Sequence, residues 1–503
     1  MTSSDPTPAG SAAVPGTHVH DVIVIGAGPG GVCAAVLLRQ RGIHDVVVLE
    51  RSGGIGGTWY NNRYPGLACD VPTDLYSYSF FQDFDWSRQF ARRHEMCAYV
   101  QEAAVRFGVA DRVVCNAGVE SANWDDADSQ WTLRTTSGVV YRARTVIGAV
   151  GMFNEPVRPD IPGLDSFEGT VLHTAEWPDD DYSFLEGKVV GVIGAAASAI
   201  QVVPTIAPLV AELEVFHRTP QWVFPKDDMV FSDEARAERQ ADPSIVAALR
   251  KESTEFVDTL CDFNNDELMA GLREKAMENL AGVADEEIRA RFMPVLPIGA
   301  QRTLLSSEYY PTFNRENVYL VTDPIVGIHR NRVVTESGVP HPLDVLILAT
   351  GYAAHKFLSV VDVVGRDGLR LREQWSDGAY AYKGMAVDGF PNLFMLYGPN
   401  TNGGSIIDKL ETQSRYVVDK IAYILQEDLA SLEVRSDAVA TYNAQLQQDL
   451  AGIRAWQVEG SRYFRAPSGR VVTQCPYNPT EYDALTRLDD SADYTATTRT
   501  ATL

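Results

Sequence analysis

The sequence predicts an α/β fold in which two Rossmann-like units are interrupted by a helical insertion. Three observations carry that expectation. The stretch Asp21–Gly31, DVIVIGAGPGG, runs from an apolar strand into a glycine-rich turn. Gly187–Ala199 repeats the same logic, with Val189–Ile193 leading into Gly194, Ala196 and Ala199. Between the second unit and the later apolar strands, residues 226–291 are charged, helix-favouring and poor in glycine.

In the first unit Gly26, Gly28 and Gly31 stand at G-x-G-x-x-G spacing, and Val32–Leu38 continues as an apolar, alanine-rich helix. The first glycine allows the tight turn, the second lets a pyrophosphate approach the backbone, and the third lets helix pack on strand. The free N–H groups and positive dipole end of such a helix attract phosphate. A second strand, Val46–Leu49, ends in Glu50, nineteen residues beyond Gly31, where a carboxylate accepts hydrogen bonds from a ribose. A dinucleotide site is therefore expected here. The second unit reads G-x-A-x-x-A, and its next strand, Leu213–Phe216, ends in His217-Arg218-Thr219. A basic residue at that tip suits a 2′-phosphate, which indicates NADPH over NADH.

Gly53–Asp70 is too rich in glycine, with Pro65, to form a long helix or strand. Its Trp59, Tyr60, Arg63 and Tyr64 suit the wall of a flat ligand site. Further on, Arg88–Val109 reads as an amphipathic helix. Val113–Ala122, Trp131–Thr136 and Val139–Ala143 read as a β-meander, and Thr145–Val150 as a strand returning to the first sheet. Pro156–Pro162 reads as a crossing between domains. Asp344–Gly351 reads as a buried strand re-entering the first sheet. Phe390–Gly404 reads as a strand breaking into a polar loop, followed by a helix over Ser405–Leu425.

The expected domains are 19–155 and 344–488 for the first unit and 156–225 and 293–343 for the second, with 226–292 as a helical lid. Residues 1–18 and 489–503 are expected to be disordered tails. A chain of 503 residues suits two or three domains at about 150 residues each. The net charge of −24 argues against nucleic acid or an anionic membrane as partner. The six cysteines are scattered without a close pair, so no metal site and no redox dithiol is signalled. Asp285-Glu286-Glu287 reads as a solvated helix face rather than a metal site. With no signal peptide and no membrane-length apolar run, the expected location is cytoplasmic.

Two longer segments add a resemblance. Gly56-Gly57-Thr58-Trp59 with Tyr64-Pro65-Gly66 and Asp70 resembles the G-G-x-W-x(4)-[FY]-P-G-x(3)-D signature of type I Baeyer–Villiger monooxygenases. Phe167, Gly169, His173 and Trp177-Pro178 resemble their F-x-G-x(3)-H-x(3)-W-[PD] fingerprint. YYPTFNRENV and FPNLFMLYGPNTN are similar to the hydroxyacetophenone-monooxygenase-like branch, and the likeness spans roughly Asp21–Tyr482.

The resemblance implies that NADPH reduces FAD, that the flavin forms a C4a-peroxyflavin with O₂, and that a ketone becomes an ester or lactone. It implies that Arg302 is the active-site arginine and that Asp70 orients it. FAD would be held around Gly26, Gly28, Pro29, Gly30, Gly31, Glu50, Arg51, Gly57, Thr58, Trp59, Asp70 and Tyr76. NADPH would be held around Gly194, Ala196, Ser198, Arg218, Thr219 and Gln301. His173 and Trp177 would couple domain position to cofactor binding. Gln301 stands where the family commonly has lysine on the 2′-phosphate, so a preference relaxed toward NADH is expected. Two other readings stay open: a flavin-containing monooxygenase acting on sulfur or nitrogen, and a silent FAD-binding protein.

Overall fold

The computed structural model describes residues 18–459 and 464–499. The expected tail over 1–18 thus lies outside the described residues except for His18. Residues 460–463 lie outside them too.

The first sheet is centred on Val19–Ile25, which pairs in parallel with Val46–Leu49 on one side and Val140–Gly148 on the other. Val22 to Val24 are fully buried, which explains why this strand reads as a continuous apolar run rather than an alternation. Pro29–Gln40 follows as a helix with proline at its first position, where the missing N–H costs nothing. Its small residues Ala34 and Ala35 are buried, and it packs against the long helix Ile406–Gln426.

The meander differs from its expected outline. Val113–Val114 leaves it and pairs in parallel with Val46–Leu49. Val119–Asp125 and Gln130–Thr135 remain an antiparallel pair. The two expected strands Val139–Ala143 and Thr145–Val150 are one nine-residue strand, Val140–Gly148. Its first half pairs with Gln130–Thr135 and its second with Leu393–Met395. Residues 142–145 alternate between half-exposed and buried, as on an open face, while 145–148 are all buried; one strand thus carries two sequence patterns.

The second sheet is wholly parallel, in the order Val318–Val321, Glu212–Phe216, Val189–Ile193, Val345–Leu348, Thr170–His173. This corrects the expected placing of Asp344–Gly351. Val345–Leu348 pairs on both sides within the second sheet, with Leu346 opposite Gly191 and Val171. All four residues are buried. A uniformly apolar strand announces burial between two neighbours, and both sheets offered such a slot.

The insertion holds four helices, Asp233–Ala241, Pro243–Leu260, Asp266–Leu280 and Glu286–Arg291. Each begins at a side-chain cap: Ser232, Asp242, Asn265 and Asp285 each accept a backbone N–H of the first turn. Asp285 is thus a cap, with Glu286 and Glu287 exposed behind it. Arg250 ties the insertion to the first unit, donating to Ser77 O at 2.7 Å and Asp408 Oδ1 at 2.9 Å.

The expected disorder from residue 489 is also corrected. Tyr494–Thr498 adds to Leu429–Val434 as an antiparallel strand. Just before it, Asp490 accepts from Lys383 at 2.8 Å, Tyr416 at 2.6 Å and Lys420 at 2.5 Å. Burial pushes the Asp490 carboxyl up, but these three donors outweigh it and hold it below its usual range. Only Tyr494 of the strand is buried, so its composition carries no apolar stripe. Residues 500–503 lie outside the described residues.

Candidate active site

The first glycine turn is built for close approach. Gly26 has φ +106°, and a Cβ on Gly31 would stand 1.8 Å from the Gly26 carbonyl oxygen. Any side chain at 31 would push the helix off the turn. Gly28 caps the helix without a side chain, so no capping side chain competes for the first-turn N–H groups of Gly30 and Gly31 that follow Pro29. Glu50 is buried and does two jobs. Its oxygens accept from Ala27 N at 2.7 Å and Ser52 N at 2.8 Å, which fixes the turn and leaves further lone pairs for a ribose. Arg51 next to it is exposed. The turn, the bare helix end and the carboxylate together fit a dinucleotide.

The aromatic loop lies directly on this turn. Gly56 N donates to Ala27 O at 3.0 Å, and a Cβ on Gly28 would stand 3.3 Å from the Gly57 Cα. Thr58 opens a four-residue helix that carries Trp59, whose ring meets Tyr76 edge-on at 5.8 Å. Further along, Tyr64 donates to Gln201 at 3.0 Å, and Gln201 in turn donates to Ala68 O at 3.0 Å. Gln201 sits on the Ala199–Ile206 helix of the second unit. At Gly66 (φ +80°) a Cβ would stand 2.4 Å from the Gln201 carbonyl oxygen, so glycine lets the loop touch that helix. The loop therefore spans the two glycine turns.

At its end Asp70 meets Arg302 across 232 residues of sequence: Arg302 Nη2 donates to Asp70 Oδ2 at 2.5 Å. The side chains keep 40% and 29% of their exposure, so the pair faces an open space rather than the core. Arg302 and Gln301 border a shallow groove shared with Pro220, Gln221, Trp222 and Pro297. A second cation stands nearby. Lys226 donates to the Cys69 carbonyl at 2.8 Å and lies over the Phe90 ring. Burial pushes its pKa down, while the charge of Asp70 partly restores it. Sequence reasoning missed Lys226 because it opens the charged insertion and stands 156 residues from Asp70 (226 − 70).

The second turn repeats the first with less room. Gly194 has φ +134°, and a Cβ there would stand 2.4 Å from the Ala349 carbonyl. Ala196 and Ser198 follow, both half-buried, ahead of the Ala199–Ile206 helix. Arg218 is exposed at the tip of Glu212–Phe216, with Thr219 half-buried beside it. The small residues and the exposed guanidinium fit a second, 2′-phosphorylated nucleotide.

His217 points the other way. It is 4% exposed and packs 5.3 Å from the Phe292 ring; among the described residues its ring nitrogens make no well-aligned hydrogen bond, and the Thr219 backbone offsets the burial only in part. Burial pushes its pKa down to about 4, from 6.5 when exposed. The unfolded chain therefore binds this proton first as pH falls. The stability due to a neutral His217 is complete above pH 6.5 and is lost down to pH 4. The loss amounts to about 3 kcal/mol over that window. His217→Phe should flatten this part of the stability-against-pH curve, measured by urea unfolding.

The His-Trp fingerprint is not a loose linker. Phe167 packs in the second core with Phe216 and Leu346. Gly169 is required because a Cβ would stand 2.4 Å from the Asp344 carbonyl and 2.6 Å from the Phe167 ring. His173 ends the edge strand; its Nδ1 accepts from Ala175 N at 3.0 Å and its Nε2 lies 3.2 Å from Thr350 Oγ1. Burial lowers its pKa. Trp177 is buried, and its Nε1–H lacks a partner.

Residues 23–232 match the family described as pyridine nucleotide-disulphide oxidoreductase. That match covers the nucleotide-binding fold; the six cysteines are all free. Over 99% of its length the chain is 36% identical to a Baeyer–Villiger monooxygenase of Pseudomonas aeruginosa, covering 94% of that protein. The chain belongs to the Baeyer–Villiger monooxygenase family. It is an FAD- and NADPH-dependent flavoprotein monooxygenase.

Among solved structures, an oxidized steroid monooxygenase bound to NADP superposes with TM-score 0.86 at 30% identity, over 96% of this chain and 100% of that one. The cyclohexanone monooxygenase of Rhodococcus sp. Phi1, bound to NADP⁺, gives TM-score 0.85 at 28% identity, over 96% and 99%. Among the described residues of this Baeyer–Villiger monooxygenase, no helix is long and apolar enough to cross a membrane.

Proposed function

We propose that this monooxygenase converts a small ketone to an ester or lactone, with Arg302 as the catalytic cation and Asp70 as its positioning partner. FAD would be held by the Gly26–Gly31 turn, Glu50 and the loop carrying Gly57, Thr58 and Trp59. NADPH would be held by Gly194, Ala196 and Ser198, with Arg218, Thr219 and Gln301 toward its 2′-phosphate. Residues 19–155 and most of 349–488 would form the FAD domain. Residues 156–225 and 293–348 would form the NADPH domain, with 226–292 as the lid.

When bound and reduced, FAD supplies the activation of O₂. The chain's own residues do the rest. The Arg302 guanidinium stabilises negative charge as it develops on the ketone oxygen, a preorganised electrostatic contribution. Asp70 holds that guanidinium in one orientation through a charge-assisted hydrogen bond. Lys226 anchors the Cys69 carbonyl and so fixes the backbone that carries Asp70. Trp59, Tyr64 and Tyr76, all buried, keep water from the reacting atoms.

The single observation that supports this reading is the Asp70–Arg302 contact, on a loop that spans both glycine turns. The test is product analysis with NADPH, O₂ and a panel of cyclic and aryl ketones, beside thioethers and amines. Ester or lactone from a ketone supports the reading. Sulfoxide or N-oxide with no ester from any ketone assigns the enzyme to heteroatom oxygenation instead.

Gln301 offers no charge to a 2′-phosphate, so Arg218 carries that recognition. Gln301→Lys should raise the NADPH-over-NADH ratio of kcat/KM about tenfold, the worth of one hydrogen bond to a charged group. Steady-state kinetics with both nucleotides checks this. An unchanged ratio would remove Gln301 from the site.

A further inference from the structure

The strand that ends in the first glycine turn begins with a different chemistry. His18 and His20 stand two residues apart at its start, so on an extended backbone their side chains leave the same face. Asp45, the residue just before the neighbouring Val46–Leu49 strand, meets both. His18 Nε2 lies 2.8 Å from Asp45 Oδ2, and His20 Nδ1 lies 2.8 Å from Asp45 Oδ1. The two rings stand edge-to-face at 4.5 Å. The three ligating atoms all lie within 4.8 Å of one another, the only such His/Cys/Asp/Glu group among the described residues.

We propose that His18, His20 and Asp45 bind one divalent transition-metal ion of the zinc class, which staples the start of the first strand to that of its neighbour. Two imidazole nitrogens and one carboxylate oxygen are ligands that zinc, nickel and copper favour, whereas magnesium and calcium take oxygen sets. Metal–ligand bonds of about 2.0–2.2 Å put tetrahedral neighbours about 3.4 Å apart. The separations here, from 2.8 Å to at most 4.8 Å, bracket that value, so small side-chain rotations admit the ion.

The surroundings suit it too. The His20 side chain is 6% exposed and forms a fixed back wall, while His18 at 52% leaves an open approach. Asp21 stands close by, its backbone N–H donating to Asp45 at 3.3 Å, and its carboxyl adds to the negative field. A strand of seven residues is about 23 Å long, so the ion would lie remote from the glycine turn. Its role is structural: a ligand that binds the folded chain alone stabilises it.

The test uses the full-length FAD-loaded enzyme, stripped of metal with a chelator. Zinc is titrated by calorimetry, and cobalt(II) by its visible absorption. One equivalent should bind saturably, cobalt should show the ligand-field bands of a low-coordinate N/O site, and zinc should raise the thermal midpoint. His18→Ala, which removes the exposed ring, should keep the fold and the metal-free NADPH oxidation rate. It should weaken zinc about tenfold or more and abolish the midpoint rise. Asp45→Asn should do the same. Absence of saturable binding to the wild type would overturn the proposal and leave a carboxylate bridging two imidazoles. Zinc binding undiminished in His18→Ala and Asp45→Asn would overturn it as well.

Discussion

Arg302→Ala is expected to leave the flavin reducible by NADPH while ester formation falls about 10²- to 10³-fold, the usual cost of removing one preorganised donor to a developing oxyanion. Rapid-mixing absorbance of the flavin gives the first half and product quantification the second. The side chain keeps 40% of its exposure, so its loss leaves no large cavity. The substitution also removes the ion-pair partner of Asp70, whose carboxylate then keeps only the more distant charge of Lys226. Arg302→Lys keeps the charge but loses the planar fork, and should recover only part of the activity. Ester formation at the wild-type rate in Arg302→Ala would remove the arginine from catalysis.

Asp490→Asn should cost about 3–5 kcal/mol of stability, the usual result of removing one partner from a buried ion pair. Lys383 is 3% exposed, and Asp490 Oδ2 is its ion-pair partner at 2.8 Å. Lys420 and Tyr416 converge on the same carboxylate, so the substitution removes the charge that all three donors share and turns one acceptor oxygen into an NH₂ group facing them. A thermal melt should show the drop. The Tyr494–Thr498 strand should also become open to proteolysis, since Asp490 anchors the chain just before it. A melt within a degree of the wild type would show that the network contributes no net stability.

Short apolar runs bounded by turn residues were legible from sequence as strands. Val46–Leu49 lies where its four apolar residues put it, and the glycine spacing located the first turn. Three features were not legible, each for a physical reason. Val345–Leu348 is apolar on both faces, which announces a central parallel strand but not which of two similar sheets holds it. Val140–Gly148 changes partner half-way, so its pattern changes from alternating to continuous and reads as two strands. Tyr494–Thr498 is an edge strand held by backbone pairing and by Asp490, and neither leaves an apolar signal.

At the site, Asp70 and Arg302 came from motif positions, and the fold brings them to 2.5 Å. Lys226, Gln201 and the His18–Asp45–His20 cluster did not, because each acts across a long separation in sequence. For the cluster a cue was present: histidines at i and i+2 on a strand share a face. Scattered cysteines drew the metal question elsewhere.

The most direct measurement is a turnover with isotopically labelled dioxygen, NADPH and a ketone, followed by mass analysis of the product. One labelled oxygen in an ester, formed in proportion to NADPH consumed and lost in Arg302→Ala, is the predicted result. NADPH consumed to give only hydrogen peroxide or a labelled sulfoxide, with no ester from any ketone, would contradict it.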